Sequence, residues 1–488
     1  MDQRRGAAYA ALMPNDFLHC LDHPAGLAVA AAAPRALHAV QPHALPALLE
    51  GWPEARAQAA LLGFEAESGR VLLVPDRQGA PGAALLGLGE AVPILQSFGA
   101  AASALPAGTA WRIESGEFPR NKAELAFLLG AYRYESLKAK KTGLASLAAA
   151  DTRARTIAGG VMLARELINT PPNRLGPDEL AEVALALGRR HGAECEGVRG
   201  AALASRFPAI ATVGAGSDRP PAAVLLRWRG SAATQTSPLI SLCGKGVCFD
   251  TGGYNLKPGG AMRLMRKDMG GAAIALGLAA AIMALDLSIR LELRIGCVEN
   301  SVSGHAMRPS DIIKTRAGLT VEIGDTDAEG RLVLCDLLAE ACEQNPDWLV
   351  DLATLTGAAR VALGPDLPAL FSNDDAMAAQ ILSAGLETGD PLWRLPLHAS
   401  YASWLESSFA DLNNISSKPF AGAITAALFL QRFISPGICW AHIDTYAWND
   451  STRPGHPEGG EAQTLQALLE AIEIFSTNKG GQHKNVSA

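Results

Sequence analysis

The chain contains no CxxC pair, no HExxH helix motif, no GxxxxGK[ST] loop and no apolar run long enough to span a membrane. Each absence excludes something. The eight cysteines, Cys20, Cys195, Cys243, Cys248, Cys297, Cys335, Cys342 and Cys439, are scattered. That pattern fits reduced, buried thiols in a cytoplasm and argues against a disulfide framework or a zinc ribbon. Without HExxH, a single-zinc peptidase of the thermolysin kind is disfavoured. The longest uncharged apolar stretch, Gly270 to Leu285, falls short of the ~20 residues a membrane span needs and reads as a buried helix. Near the start, the apolar run Ala7 to Met13 is broken by Pro14, Asn15 and Asp16, so no signal peptide and no membrane attachment are expected. Positive charge is in deficit: 42 Lys and Arg face 49 Asp and Glu, a net charge of −7, which disfavours nucleic acid as a general partner.

What is present describes a globular chain, because 49% of residues are apolar and only 19% are charged. At roughly 150 residues per domain, its length predicts two or three domains. Residues 1–145 are alanine-rich, with short strand-like runs at Val71–Val74 and Ala84–Leu86. They carry no catalytic constellation, and the spacing of His19, His23, His38 and His43 matches no metal site. Residues 146–168 read as a connecting helix with Ile157, Val161, Leu163, Leu167 and Ile168 on its apolar face, stopped by Pro171 and Pro172.

From 169 to 488 strand and helix patterns alternate. Strands are expected at Pro238–Leu242, Ser288–Cys297, Trp348–Ala353 and Trp440–Ile443, and helices at Ala272–Leu285, Leu332–Cys342 and Ala423–Phe433. The polar residues from Thr477 on are expected to fray. The fold class is α/β in two domains: a smaller N-terminal α/β domain and a larger C-terminal one with a mixed central sheet flanked by helices. Ligands in such folds bind in loops at the strand ends.

Two clusters of polar residues carry the chemistry. The run Asp325-Thr326-Asp327-Ala328-Glu329-Gly330-Arg331 packs three carboxylates into five positions, a crowding that a divalent cation relieves. On an extended segment Asp327 and Glu329 point the same way. Upstream lie the glycine-rich Gly244 to Gly253, then Lys257 and Asp268. One reading is a phosphate cradle, although no Ser or Thr follows Gly244-Lys245 to hold magnesium. The other joins Lys245, Asp250 and Asp268 to Asp327 and Glu329 in one metal cluster, with Lys257 and Arg331 nearby as cations. Such an oxygen-rich site suits two divalent ions sharing an activated water.

The segments NTPPN (169–173), GKGVCFDTGG (244–253), NLKP (255–258), RKDMGGAA (266–273), VEN (298–300), TDAEGRL (326–332), DLATLTGA (351–358) and GAITAALFL (422–430) resemble the leucyl (cytosol) aminopeptidase family, the M17 type of dinuclear metallopeptidases. The resemblance covers roughly residues 165–450 and implies hydrolysis of the N-terminal residue from peptides with a free N-terminus. It implies two divalent metal ions per subunit, Zn or Mn with Mg or Co as alternatives. Lys245, Asp250, Asp268 and Glu329 would hold the tighter ion, and Asp250, Asp327 and Glu329 the more exchangeable one. Lys257 would act as electrophile and Arg331 would hold a bicarbonate. Met265, Thr354 and Gly357 would line the side-chain pocket. A cytoplasmic homohexamer is further implied.

Three features depart from the family pattern. Asp325 stands where Asn is usual. Tyr446 and Trp448 replace small residues near the pocket, and core packing is the favoured expectation for both. The segment Arg453 to Gly460 replaces the usual glycine turn. The competing readings are another two-metal hydrolase such as a phosphoesterase, and a catalytically altered family member with a structural or DNA-binding role. The complete residue set argues against lost catalysis, and the acidic balance gives DNA binding no support.

Overall fold

The computed structural model describes residues 12–28, 33–90, 94–114, 116–137 and 143–484. The chain divides into two compact units. The smaller takes in 19–162 and 449–459; the larger takes in the start of the chain up to Leu18, then 163–448 and the segment from Gly460 onward.

The smaller unit is built on a five-stranded sheet in the order Val71–Pro75, Pro81–Gly87, Arg35–Val40, Ala110–Ile113, Ser146–Leu147. Only the first pair is antiparallel. Val40, Phe64, Leu72 and Leu85 form one buried cluster against it. The helices Ile94–Ala104 and Arg120–Ala131 meet glycine to glycine: a methyl group on Gly130 would stand 1.9 Å from the Gly99 carbonyl oxygen. The helix expected from residue 146 begins at Thr152 and runs to Asn169, because Ser146 and Leu147 pair as the sheet's edge strand.

The larger unit is organised around an eight-stranded mixed sheet. Its order is Trp393–Arg394, Ala369–Ser372, Trp440–Asp444, Trp348–Ala353, Leu239–Asp250, Arg290–Asn300, Ala222–Arg229, Glu194–Arg199. The four central strands run parallel, and antiparallel pairings frame them on both sides. Helices Gly270–Ala284 and Gly330–Cys342 are buried almost throughout their length. The run Met265–Ala284 is apolar enough in composition to resemble a membrane span, but 94% of its 18-residue apolar window is buried inside the protein. The terminal helix Leu465–Lys484 continues through the residues expected to fray, and 485–488 lie outside the described residues.

The strand expected to end at Leu242 instead continues through the glycine-rich segment, as Leu239–Asp250. Its glycines are required by close packing. A methyl on Gly244 would lie 2.6 Å from the Ala272 Cα, and one on Gly246 would lie 2.5 Å from the Gly296 carbonyl oxygen. The strand also contains a bulge. Val247 pairs with Val298 and Phe249 with Glu299, so Cys248 is an extra residue. Lys245 and Asp250 are five positions apart, and regular alternation would place them on opposite faces. The inserted residue restores both to the same face.

Candidate metal centre and substrate cavity

The charged cluster sits at the carboxyl ends of the parallel strands, where α/β sheets bind ligands. Lys245 and Asp250 come from the strand just described. Asp268 lies in the 3-10 turn Met265–Met269, which leads into helix Gly270–Ala284. Thr354 directly follows strand Trp348–Ala353. Asp327 and Glu329 precede helix Gly330–Cys342. The last two do not converge by strand alternation, as expected from the sequence. Asp327 is in a turn, and Glu329 already has helical dihedrals (φ −77°, ψ −33°), because the helix starts at the next residue.

Asp250, Asp327 and Glu329 present carboxylate oxygens that all lie within 4.8 Å of one another. Two lysines hold the cluster. Lys245 Nζ is 2.8 Å from Asp268 Oδ2 and 2.9 Å from Glu329 Oε1, and it donates to the Thr354 carbonyl at 2.9 Å. Lys257 Nζ is 2.8 Å from Asp250 Oδ2 and 2.5 Å from Asp327 Oδ1. Gly330 makes room for Lys245, since a methyl there would sit 2.6 Å from its Nζ.

Electrostatics separates the groups. Burial works against the charge on Lys245, but Asp268, Glu329 and Asp250 outweigh it and hold the ammonium above the usual lysine range. Lys257 is raised in the same way, against burial, by Asp250, Glu329 and Asp268. The carboxyls shift up as well. Burial, with Asp250 beside it, pushes Asp327 to about 6 and Glu329 well above its ordinary value. Burial also raises Asp268. Four acids sharing one buried space carry more negative charge than two lysines stabilise.

The donor set fits divalent cations. Both oxygens of Glu329, Asp268 Oδ2 and Asp327 Oδ1 are buried and receive no hydrogen bond, although three of these four lie within ion-pair distance of a lysine. Converging carboxylate oxygens, balanced only by two lysine ammoniums, make a hard, oxygen-rich cation site.

A cavity of about 520 Å³ opens on this cluster. Lys245, Asp250, Lys257, Asp268, Asp327 and Glu329 line it, together with Met265, Thr354 and Gly357. Arg331 is not in the cavity wall. It is buried on the first turn of its helix, and its Nη1 donates to the Asn414 carbonyl at 2.5 Å. Its Nε has no acceptor, and burial pushes its pKa down to about 10.

Sequence reasoning passed over three residues here. Asn300 ends its strand with Nδ2 donating to Asp250 Oδ1 at 2.8 Å and to the Thr326 carbonyl at 3.0 Å, tying the two carboxylate loops together. Thr326 Oγ1 donates to the Gly252 carbonyl at 2.6 Å and accepts from the Asn255 N–H at 2.9 Å. Lys267 lines the cavity, and burial pushes its ammonium down to about 8. The available signal was position: Thr326 and Lys267 are each next to a carboxylate already singled out, and Asn300 closes the VEN segment at 298–300. Of the two unusual aromatics, Tyr446 lines the cavity, whereas Trp448 is buried with the Arg266 guanidinium 5.1 Å from its ring. At Asp325, Oδ1 accepts the Asp327 N–H at 2.8 Å, so this carboxylate braces the turn that presents Asp327.

Comparison with known proteins agrees over both units. Residues 162–469 match the cytosol aminopeptidase family, catalytic domain, and 36–150 match the M17 aminopeptidase N-terminal domain. A probable cytosol aminopeptidase of Xanthomonas campestris pv. campestris (strain B100) is 41% identical over 409 residues, covering 78% of this chain and 82% of that protein. The crystal structure of the cytosol aminopeptidase from Coxiella burnetii superposes with a TM-score of 0.85 at 41% identity, over 91% of this chain and 98% of that one. The bottromycin maturation enzyme BotP in complex with Mn gives 0.83 at 32% identity, over 91% and 100%. Fold, carboxylate cluster and relatives together define the class, a metalloexopeptidase. The chain belongs to the cytosol aminopeptidase family.

Proposed function

We propose that the chain hydrolyses the N-terminal residue from peptides with a dinuclear metal centre held by Lys245, Asp250, Asp268, Asp327 and Glu329. The observation that carries this reading is the convergence of Asp250, Asp327 and Glu329 oxygens within 4.8 Å, several of them without hydrogen bonds. Lys245, Asp250, Asp268 and Glu329 would hold one ion, and Asp250, Asp327 and Glu329 would hold the other. Bound there, two divalent ions, Zn or Mn with Mg or Co as alternatives, supply an activated water and Lewis-acid stabilisation of developing charge.

The chain's own residues do the rest. Lys257 remains protonated near neutral pH beside Asp250 and Asp327, and a fixed cation at the cluster's edge polarises the scissile carbonyl. Arg331 is a buried guanidinium with an unused Nε–H and no carboxylate partner among the described residues. It suits a small planar anion such as bicarbonate, which would move the proton released from water. Met265, Thr354 and Gly357 border the space for the N-terminal side chain. Asn300 and Thr326 keep the two carboxylate loops in register. Assembly as a homohexamer in the cytoplasm completes the proposal; the names of its relatives favour that compartment.

The test is turnover of a panel of aminoacyl-p-nitroanilides by metal-stripped protein, before and after addition of Zn²⁺ or Mn²⁺. Metal-dependent release of nitroaniline is expected for at least one residue type. Indifference to metal across the whole panel rejects the dinuclear reading.

A further inference from the structure

Four cationic side chains line the cavity, and they fall into two pairs. Lys245 and Lys257 each lie within ion-pair distance of two carboxylates. Lys267 and Arg360 have no carboxylate partner among the described residues. Both turn instead to Tyr446. Lys267 Nζ donates to the Tyr446 carbonyl at 2.8 Å and stands 4.2 Å from the centre of its ring. The Arg360 guanidinium carbon is 4.9 Å from the same ring, and Nη1 is 3.2 Å from the phenol oxygen. Lys267 is 6% exposed, so its ammonium has left water for one carbonyl and a ring face.

The nearby cavity carboxylate, Asp444, is already engaged. It accepts the Leu355 N–H at 2.9 Å, the Thr356 N–H at 3.2 Å and the Thr356 hydroxyl at 2.6 Å. This end of the cavity therefore offers two cations, and among the described residues no carboxylate stands within ion-pair distance of either. Apolar walls from Met265, Leu355, Ala359 and Leu367 complete it.

We propose that Lys267 and Arg360, braced by Tyr446, select a substrate carboxylate carried on the side chain of an N-terminal glutamate or aspartate. The inference rests on the aminopeptidase reading above and deepens it. Lys267 is adjacent in the chain to Asp268 and lines the same cavity as the metal cluster. A group that reaches it belongs to the residue whose peptide bond is at the cluster. An apolar side chain in the same space would desolvate the exposed Arg360 guanidinium and leave both cations unpaired, whereas a carboxylate pairs both.

The test compares glutamyl- with glutaminyl-p-nitroanilide, which differ in charge at nearly equal shape, alongside the leucyl compound. The Mn²⁺-loaded protein is expected to favour glutamyl over glutaminyl by about tenfold or more in kcat/KM, as a charge-assisted pair warrants. Lys267→Met and, further from the metal cluster, Arg360→Gln should each collapse that ratio toward one. Calorimetry gives a second readout: free L-glutamate should bind the Mn²⁺-loaded protein more tightly than L-glutamine, and Arg360→Gln should remove the difference. Neither anilide carries a C-terminal carboxylate, so Leu-Ala against Leu-Ala-amide tests that source separately. If only this last pair responds to the two substitutions, the cations read the peptide's C-terminus and the side-chain assignment is overturned. Cleavage of neutral anilides without any glutamyl preference also overturns it and leaves the aminopeptidase reading intact. Failure on every substrate overturns both.

Discussion

Lys245 shows how a single residue divides the legible from the hidden. Its identity as a candidate ligand was readable, because a lysine among glycines and aspartates stands out. Its setting was not, since glycines that read as a loop are there to let a helix approach a strand. The same holds for Asp327 and Glu329, whose convergence depends on a turn and a helix start rather than on strand alternation. Asn300 and Lys267 escaped notice because their roles depend on partners distant in sequence, such as Thr326 and Tyr446. Residue by residue, the site makes distinct predictions. In the proposed centre, Glu329→Ala or Asp250→Ala removes a carboxylate that would serve both ions. Either should lower kcat by about 10³-fold or more and reduce bound metal, measured by elemental analysis of the purified protein. Lys257→Ala should lower kcat by about 10²–10³-fold, the usual cost of removing one oxyanion partner, with metal content retained. A variant at Lys257 that loses its metal would assign this residue to ion binding instead.

At the scale of elements, sequence patterns succeeded where one period governed a segment. Trp348–Ala353 was read to the residue because it is a short, uniformly buried strand. The alternation over Ser288–Cys297 predicts a strand with Ile289, Leu291, Leu293 and Ile295 on one face and Arg290, Glu292 and Arg294 on the other, and the strand formed is Arg290–Asn300. Both faces are covered from Leu291 on, because Arg294 pairs with Glu292 and Glu340 inside the protein. The bulge at Cys248 has no signature in hydrophobic periodicity, yet it places Asp250 on the face of Lys245. Helix Gly270–Ala284 is equally exacting. A methyl on Gly271 would stand 2.0 Å from the Leu352 carbonyl oxygen, on the strand that leads to Thr354. Thr354 Oγ1 in turn donates to Asp268 Oδ1 at 2.8 Å. Gly271→Ala must therefore push the helix start away from the sheet. The expected cost is about 1–3 kcal/mol in chemical denaturation, the range for overpacking, accompanied by weaker metal binding because Asp268 moves with the helix. Unchanged stability and metal affinity would mean that the helix and strand are less tightly engaged than these distances imply.

Across the whole molecule, the two-unit division and the mixed sheet were legible from alternating patterns, whereas the family membership of the N-terminal unit was not, since its short alanine-rich strands carry no chemistry. The larger unit stores an electrostatic conflict that couples folding to metal. Asp268, Asp327 and Glu329 all have pKa values above their ordinary ones because they are buried together. An acid whose folded pKa exceeds its unfolded pKa binds protons more readily in the folded state. Its contribution to stability is present at low pH and is lost as pH rises through the folded value. For Asp327 that window runs from about 4 up to about 6. Metal-free protein should therefore lose melting temperature from this group as pH rises across that window, and Asp327→Asn, which cannot ionise, should lose less. Adding Mn²⁺ reverses the order. Ions need the ionised carboxylate, so the wild type gains stability by mass action, about 2.7 kcal/mol at a hundred times Kd, and Asp327→Asn gains less. Thermal melts of both proteins from pH 4 to 8, with and without Mn²⁺, measure all four terms. A metal-free Asp327→Asn variant that is more destabilised relative to wild type at pH 8 than at pH 4 would show that the ion pair with Lys257 outweighs the repulsion among the acids.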